Sequence, residues 1–298
     1  MGCCCGKERT LGMRSGVWTS RKVRFLAVGQ SVAVHVVMIA TVILVVLPMA
    51  WMLSTSLKPS EEVYAFPPNW IPRQFRPENF VAAWRSFPVA RYALNSTIVV
   101  LVVVTSQLIT GALAAYVFSQ LRFPGRDAIF VAYLATMMVP GQVTVVPVFI
   151  VLKTLRWIDT YVGLTAPFLA SAFGIFLIRQ SFLSIPIDLI DAARIDGAGH
   201  LRILQRVLLP LSKAALVTFT LLSFTWRWND YFWPLIVTNS TLMRTLPVGI
   251  VLLRATEGSM EWNVVMAGTV MVIAPVMLVF LFAQRQFVQG IAQTGLKG

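Results

Sequence analysis

The chain has 298 residues, of which 57% are hydrophobic and 12% charged, with a formal net charge of +13 and a mean hydropathy of +0.75. Soluble domains carry about 25% charged residues and no long apolar runs, so the composition excludes an ordinary soluble enzyme and indicates a polytopic membrane protein. The positive charge does not point to nucleic acid, because the basic residues fall in loops between apolar stretches rather than on one face of a soluble domain.

The N-terminal stretch holds all three cysteines, Cys3, Cys4 and Cys5. They have no later cysteine to pair with and lack metal-site spacing. No apolar stretch precedes them, which argues against a lipoprotein signal. Gly6 stands where a myristoylation motif needs Ser or Thr, whereas reversible palmitoylation stays open. Residues 1–30 read as a cytoplasmic extension, with Met13 an alternative start.

Six apolar spans follow, at about 32–53, 95–118, 127–152, 161–182, 213–237 and 262–284, each near the 20 residues that a bilayer crossing requires. The first follows Arg21, Lys22 and Arg24 but has no small-residue cleavage site after it, so it reads as a retained helix. With the N-terminus inside, 15 of the 25 Lys and Arg lie on the cytoplasmic side, which places both termini in the cytoplasm by the positive-inside rule. The outer segment "SLKPSEEVYAFPPNWIPRQFRPENF" cannot be one helix, because Pro67, Pro68, Pro72 and Pro77 interrupt it. Its Trp70, and Trp84 beyond, suit a membrane interface. Pro48, Pro140, Pro147, Pro167 and Pro275 lie inside spans, where each removes a backbone hydrogen bond. "MMVPG" at 137–141 is the strongest break, as either a gating hinge or a packing kink.

Between the fourth and fifth spans the sequence turns polar: "DAARIDGAGHLRILQRVLLP". Ser184 is placed to cap a helix with Pro186 in its first turn and Asp188 and Asp191 near its positive end. Ile187, Ile190 and Arg194 share one face, and Leu189, Ala192, Ala193 and Asp196 another. Gly197 and Gly199 suit a sharp turn. A second helix then brings Leu201, Leu204 and Leu208 into register before Pro210. A helix resting on lipid headgroups would be rich in Lys and Arg and poor in acid. Asp188, Asp191 and Asp196 fit a helix docked into a protein partner instead.

This passage resembles the "EAA" loop of ABC importer permeases, Glu-Ala-Ala, three residues, Gly, nine residues, Ile-x-Leu-Pro. Asp191-Ala192-Ala193, Gly197 and Val207-Leu208-Leu209-Pro210 keep that spacing, with Asp191 for Glu and Val207 for Ile. "LNSTIVV", "LRFPGRD", "WRWNDYFWPL" and "FVQGIAQTGLKG" resemble the carbohydrate-uptake subfamily, in its second permease of the maltose or glycerol-3-phosphate type. The likeness runs from about Ser31 to Gly298. It implies an all-α membrane protein with the type I ABC importer permease fold: six transmembrane helices, N- and C-termini cytoplasmic. Residues 31–298 would form the transmembrane domain, with a cytoplasmic coupling loop at 183–212.

By that resemblance the chain forms half of a pathway with a homologous permease. Two cytoplasmic ABC ATPases would bind ATP and Mg, and an extracytoplasmic solute-binding protein would deliver a sugar or sugar-like solute. The chain itself has no Gly-x4-Gly-Lys-Ser/Thr phosphate loop. Asp191, Ala192, Ala193, Arg194, Asp196, Gly197, Leu209 and Pro210 would meet an ATPase, with Asp191 facing a basic residue there. The ending that carries Gln289, Gly290 and Gly295 would also reach the ATPase interface, or else is a frayed terminus. Trp226, Arg227, Asn229, Asp230 and Tyr231 are candidates for the solute pathway, because ionisable groups within a span face the bundle interior. Arg227 and Asp230, three residues apart, suit an ion pair. Trp226, Trp228, Tyr231 and Trp233 would stack on sugar rings or form an interfacial belt.

Two other classes compete. Catalysis within the chain would rest on His35 and His200, the only histidines, and neither lies in a triad or metal pattern. A proton-coupled secondary transporter would need an intramembrane acid, and Asp230 is the one available. Within the importer class, uptake of glycerol-3-phosphate or a glycerophosphodiester is the alternative to a sugar.

Overall fold

A computed structural model describes the backbone of residues 18–256 and 261–295, and the side chains of residues 30–253 and 261–284. Among the described residues the regular structure is helical. The helices are α1 (Trp18–Ser56), α2 (Ser60–Val63), α3 (Glu78–Ser86), α4 (Val89–Gln120), α5 (Arg126–Ala135), α6 (Gly141–Thr154), α7 (Tyr161–Thr165), α8 (Ala172–Leu183), α9 (Ile187–Ile195), α10 (His200–Ile203), α11 (Leu209–Leu211), α12 (Lys213–Trp228), α13 (Phe232–Val237), α14 (Leu246–Thr256) and α15 (Trp262–Gly295). The chain divides into two compact units, one ending at Met52 and one beginning at Leu53.

The first unit is the greater part of α1. Its polar side chains turn back onto their own helix. Thr41 Oγ1 donates to the Val37 carbonyl at 2.8 Å, and His35 Nδ1 lies 2.7 Å from the Ser31 carbonyl. Such self-satisfaction suits a helix surrounded by hydrocarbon, where water cannot serve as partner.

Among the described residues three helical stretches are long and apolar enough to cross a membrane unaided: Gln30–Ser56, Val89–Gln120 and Trp262–Gln284. Three more candidates are bent pairs. Arg126–Met138 meets Gly141–Thr154 at 96°, Tyr161–Phe168 meets Ala172–Leu183 at 45°, and His200–Leu211 meets Lys213–Trp228 at 80°. The largest bend falls at Pro140, where the sequence places its strongest break. The expected fifth span, 213–237, is not continuous. It stops at Trp228, with Asn229 as C-cap, and helix resumes only at Phe232. Pro234 lies in the first turn of α13, which tolerates a residue without an N–H.

In the second unit α4 is the central post. Its buried residues Tyr92, Val100 and Val104 pack with Trp228 and Val272, Val99 and Val103 with Leu164 and Trp233, and Ala115 and Tyr116 with Ile178, Phe182 and Phe219. At Gly174 of α8 a Cβ would come within 2.4 Å of the Phe219 ring. Glycine there sets how closely α8 and α12 pack.

The 45° break is held by side chains of α4. Pro167 has no N–H, and the chain leaves the helical path at Leu169 and Ala170, so carbonyls there lack helical partners. Gln107 Nε2 donates to the Phe168 carbonyl at 2.7 Å, and the hydroxyls of Ser106 and Thr110 donate to the Leu169 carbonyl at 2.9 and 3.2 Å. Ser223 of α12 completes the set by donating to Gln107 Oε1 at 2.6 Å. One amide thus ties three helices. Replacing Gln107 by Leu strips partners from the Phe168 carbonyl and the Ser223 hydroxyl, at a cost of about 1–3 kcal/mol. A lowered midpoint in thermal unfolding of the detergent-solubilised protein is the expected result, and an unchanged midpoint contradicts this account.

Candidate functional site

The polar loop between α8 and α12 is built as a clamp. Helix α9 ends in a Schellman motif: the Ala198 N–H reaches the Ala193 carbonyl at 2.9 Å and the Gly197 N–H the Arg194 carbonyl at 3.0 Å. Gly197 has φ of +75°, the left-handed conformation that this motif needs at that position. Gly199, by contrast, has φ of −70° and precedes α10 in extended backbone. The turn therefore requires one glycine. Ser184 does not cap α9. It terminates α8 and donates to the Ser181 carbonyl, and α9 begins after Pro186.

The inner side of the loop is apolar. Ile190, Ile203, Leu204 and Leu208 are buried with Tyr116, Ile178 and Phe182, and Ala193 and Ala198 pack against them. Ile187 and Leu201, which helical spacing groups with Ile190 and with Leu204 and Leu208, are exposed. A five-residue π-helical stretch, Leu204–Leu208, shifts the register after α10, so Ile203 rather than Leu201 shares the core with Leu204 and Leu208. A polar link joins loop and bundle: the Tyr116 hydroxyl lies 2.6 Å from His200 Nδ1. Arg179 of α8 donates to the Phe118 carbonyl at 3.1 Å and stacks over the Phe130 ring.

The outer side carries Asp188, Leu189, Asp191, Ala192, Arg194, Ile195 and Asp196, all exposed, with Ile195 at 86%. Asp191 and Arg194 pair at 2.8 Å, and at this exposure such a pair is worth less than about 1 kcal/mol. Leu209 opens α11 with Pro210 in its first turn, and Ser212 marks the 80° bend into α12. Asp191, Ala192, Arg194 and Asp196 thus share one outer surface, while Ala193 faces inward and Leu209 and Pro210 serve the bend.

The pathway candidates separate into two groups. Arg227 and Asp230 do pair, at 3.0 Å, with both side chains about one-fifth exposed. The Arg227 guanidinium also lies 3.9 Å from the centre of the Phe168 ring, and the second Asp230 oxygen accepts from the Trp233 N–H at 3.2 Å. Trp226, Asn229 and Tyr231 are exposed. Trp228 and Trp233 are neither belt nor sugar platform. Both are buried, with indole N–H groups on the carbonyls of Val272 and Gly163. An open cleft of about 310 Å³ lies where the breaks converge, lined by Gly141, Gln142, Phe168, Asp230 and Trp233 among others.

Gln289, Gly290 and Gly295 lie on the last turns of the α15 backbone, but their side chains and residues 296–298 lie outside the described residues.

Several structural residues escaped the sequence reading. Gln107 was detectable as a lone amide in an apolar run. Asn95 donates to the Leu242 and Arg244 carbonyls at 2.8 Å and accepts from Tyr161 at 2.7 Å. Asp159 accepts from the N–H groups of Asn239 and Ser240 at 2.9 and 3.0 Å. Burial pushes the Asp159 carboxyl up, but these hydrogen bonds and nearby Arg244 outweigh it and hold the group below its ordinary value. Nothing local in the sequence announces a partnership across 80 residues.

Asp230→Asn leaves the largely enclosed Arg227 without its counter-charge, at a cost on the order of 3 kcal/mol. The Arg227→Met/Asp230→Asn double variant recovers most of that loss. A thermal-unfolding double-mutant cycle reads the difference, and additive losses contradict the pairing.

Residues 107–293 match the family described as "Binding-protein-dependent transport system inner membrane component". The chain is 35% identical over 268 residues to the sn-glycerol-3-phosphate transport system permease protein UgpE of Rhizobium meliloti (strain 1021), covering 87% of this chain and 95% of that one. It is 33% identical over 273 residues to the protein of the same name from Yersinia pestis, covering 89% and 97%. Among solved structures, a chain of a bacterial ABC transporter involved in the import of the acidic polysaccharide alginate superimposes with a TM-score of 0.77 at 26% identity, over 90% of this chain and 98% of that one. A chain from an alginate transporter in complex with an alginate pentasaccharide-bound periplasmic protein shares the fold at a TM-score of 0.61 and 15% identity, over 90% and 95%.

Proposed function

Because the chain belongs to the inner membrane components of binding-protein-dependent transport systems, and is thus an ABC importer permease subunit, we propose that its 183–212 loop is the part driven by a separate ATPase. Family membership displaces the proton-coupled reading. On this proposal the bent pairs at Pro140 and Pro167 each act as one span and α12 with α13 supplies another, for six crossings in all, with His200–Leu211 kept in the loop and both termini in the cytoplasm. A homologous permease supplies the other half of the pathway. Two ATPase subunits bind ATP and Mg, and a solute-binding protein delivers the cargo from outside.

The observation that carries the proposal is the two-sided construction of α9. Ile190 and Ala193 seat it in the core of α4 and α8, while Asp188, Asp191, Ala192, Ile195 and Asp196 are exposed. A helix rooted in the bundle transmits a push without absorbing it. The small Ala192 permits close approach, Ile195 suits an apolar socket, and the three acids suit a basic rim. Asp191 exchanges Arg194 for a basic residue of the ATPase at little cost, since the internal pair is weak. The ending with Gln289, Gly290 and Gly295 is assigned to the same interface.

For the cargo we propose a hydroxyl-rich solute of the sugar or sugar-like class, with glycerol-3-phosphate or a glycerophosphodiester the specific alternative that the named relatives favour. Trp226, Asn229 and Tyr231 offer ring stacking and amide hydrogen bonds to hydroxyl groups. Arg227 and Asp230 lie beside the same path but satisfy each other.

Gly197→Asp forces a β-carbon into left-handed backbone and adds a charge to the docking surface. In the reassembled complex it abolishes solute-stimulated ATP hydrolysis and uptake, while membrane insertion and subunit assembly persist. Normal uptake by this variant removes the loop from the coupling role. A panel of sugars, glycerol-3-phosphate and glycerophosphodiesters, each presented with the solute-binding protein, identifies the cargo by the solute that stimulates ATP hydrolysis. Stimulation by none of them contradicts the proposed class.

A further inference from the structure

The segment after the first span, "SLKPSEEVYAFPPNWIPRQF", takes no part in the coupling loop or the pathway, yet it is tied down with unusual care. Lys58 is 1% exposed, and its ammonium donates to the Asn69 carbonyl. Burial lowers the affinity of that amine for its proton, and Glu62 works the other way. Asn79 donates to the carbonyls of Ser56 and Lys58 at 2.9 and 2.8 Å, and Asn263 of α15 donates to Asn79 at 3.1 Å. The Arg76 N–H reaches the Leu57 carbonyl at 2.9 Å, the Ser54 hydroxyl the Trp70 carbonyl at 2.5 Å, and the Arg73 N–H the Glu62 carboxylate at 3.0 Å.

What this scaffold holds outward is apolar. Phe66 is 95% exposed, Ile71 76% and Phe75 65%, with Arg73 and Arg76 exposed among them. A rigid loop that buries a lysine while displaying phenylalanines is not a solvated connector. We propose that residues 66–76 form an interfacial anchor, inserted into the lipid headgroup layer of the leaflet in which the first span ends.

Depth and chemistry select lipid over a soluble partner. Asn263, which donates to Asn79, lies in the first turn of the Trp262–Gln284 span, so this cluster sits where an apolar crossing begins. The bonds to Ser54, Ser56, Leu57 and Lys58 hold the loop at that same level. Phe66, Ile71 and Phe75 are exposed apolar side chains on a chain with several apolar spans, and a rigid apolar surface beside a span end suits lipid more than water. Aromatic rings with arginines able to extend to phosphates are the composition such a layer favours.

The test uses the whole complex in lipid nanodiscs, with Cys3, Cys4 and Cys5 replaced by Ser. Single Phe66→Cys, Ile71→Cys and Phe75→Cys variants carry an environment-sensitive fluorophore, and Glu61→Cys on neighbouring α2 serves as the solvent control. Lipids spin-labelled near the headgroup quench the first three several-fold more strongly than aqueous iodide does, and the control shows the reverse. Iodide quenching at all positions, protection from both quenchers, or protection that arises only on adding the solute-binding protein each overturns the anchor, the last in favour of a protein-docking surface.

Discussion

A membrane interior offers no water to a backbone group that loses its helical partner, and this constraint organises the second unit. Three of its candidate spans bend, by 96°, 45° and 80°, and a bend that interrupts the helix withdraws amides and carbonyls from helical bonding. At the break after Pro167 the solution is visible atom by atom. Ser106, Gln107 and Thr110 of α4 supply the donors, and Ser223 of α12 holds Gln107 in orientation. The need to satisfy one broken helix therefore fixes how three helices face each other. The Phe168 ring, placed by that break, then receives the Arg227 guanidinium.

The loop at 183–212 answers the same requirement with different means. Leaving helical geometry at Gly197 frees the carbonyls of Ala193 and Arg194, and the Schellman bonds recapture them without help from other elements. That self-sufficiency leaves the outer face of α9 available to a partner. Its inner face is already committed to Tyr116, Ile178 and Phe182. An element satisfied on one side and open on the other is suited to passing displacement between two bodies, as the proposed function requires.

Much of this was legible in the sequence. Apolar runs marked the three unaided spans, the bent pairs at Pro140 and Pro167 and the Lys213–Trp228 arm of the third, Pro140 marked the sharpest bend, and the 191–210 spacing marked the loop and its family. The errors share a cause. Lys213–Val237 reads as one hydrophobic run, but Asn229–Tyr231 breaks it because Asp230 is occupied by Arg227 and the Trp233 amide. Leu201 has helical spacing with Leu204 and Leu208, but the π-helical stretch rotates it outward. Trp228 and Trp233 have the composition of a belt, and only their carbonyl partners, Val272 and Gly163, reveal them as core.

What the sequence determined by itself was class, span order, loop spacing and family, because these depend on local hydrophobicity and short-range pattern. The tertiary structure decided which polar residues are structural and which are free. Gln107 acquires its role from residues 168 and 223, Asn95 from 242 and 244, and Lys58 and Asn79 from each other and from Asn263. In a low-dielectric interior the fate of a polar group is set by its nearest partner in space, and pattern along the chain does not encode that neighbour.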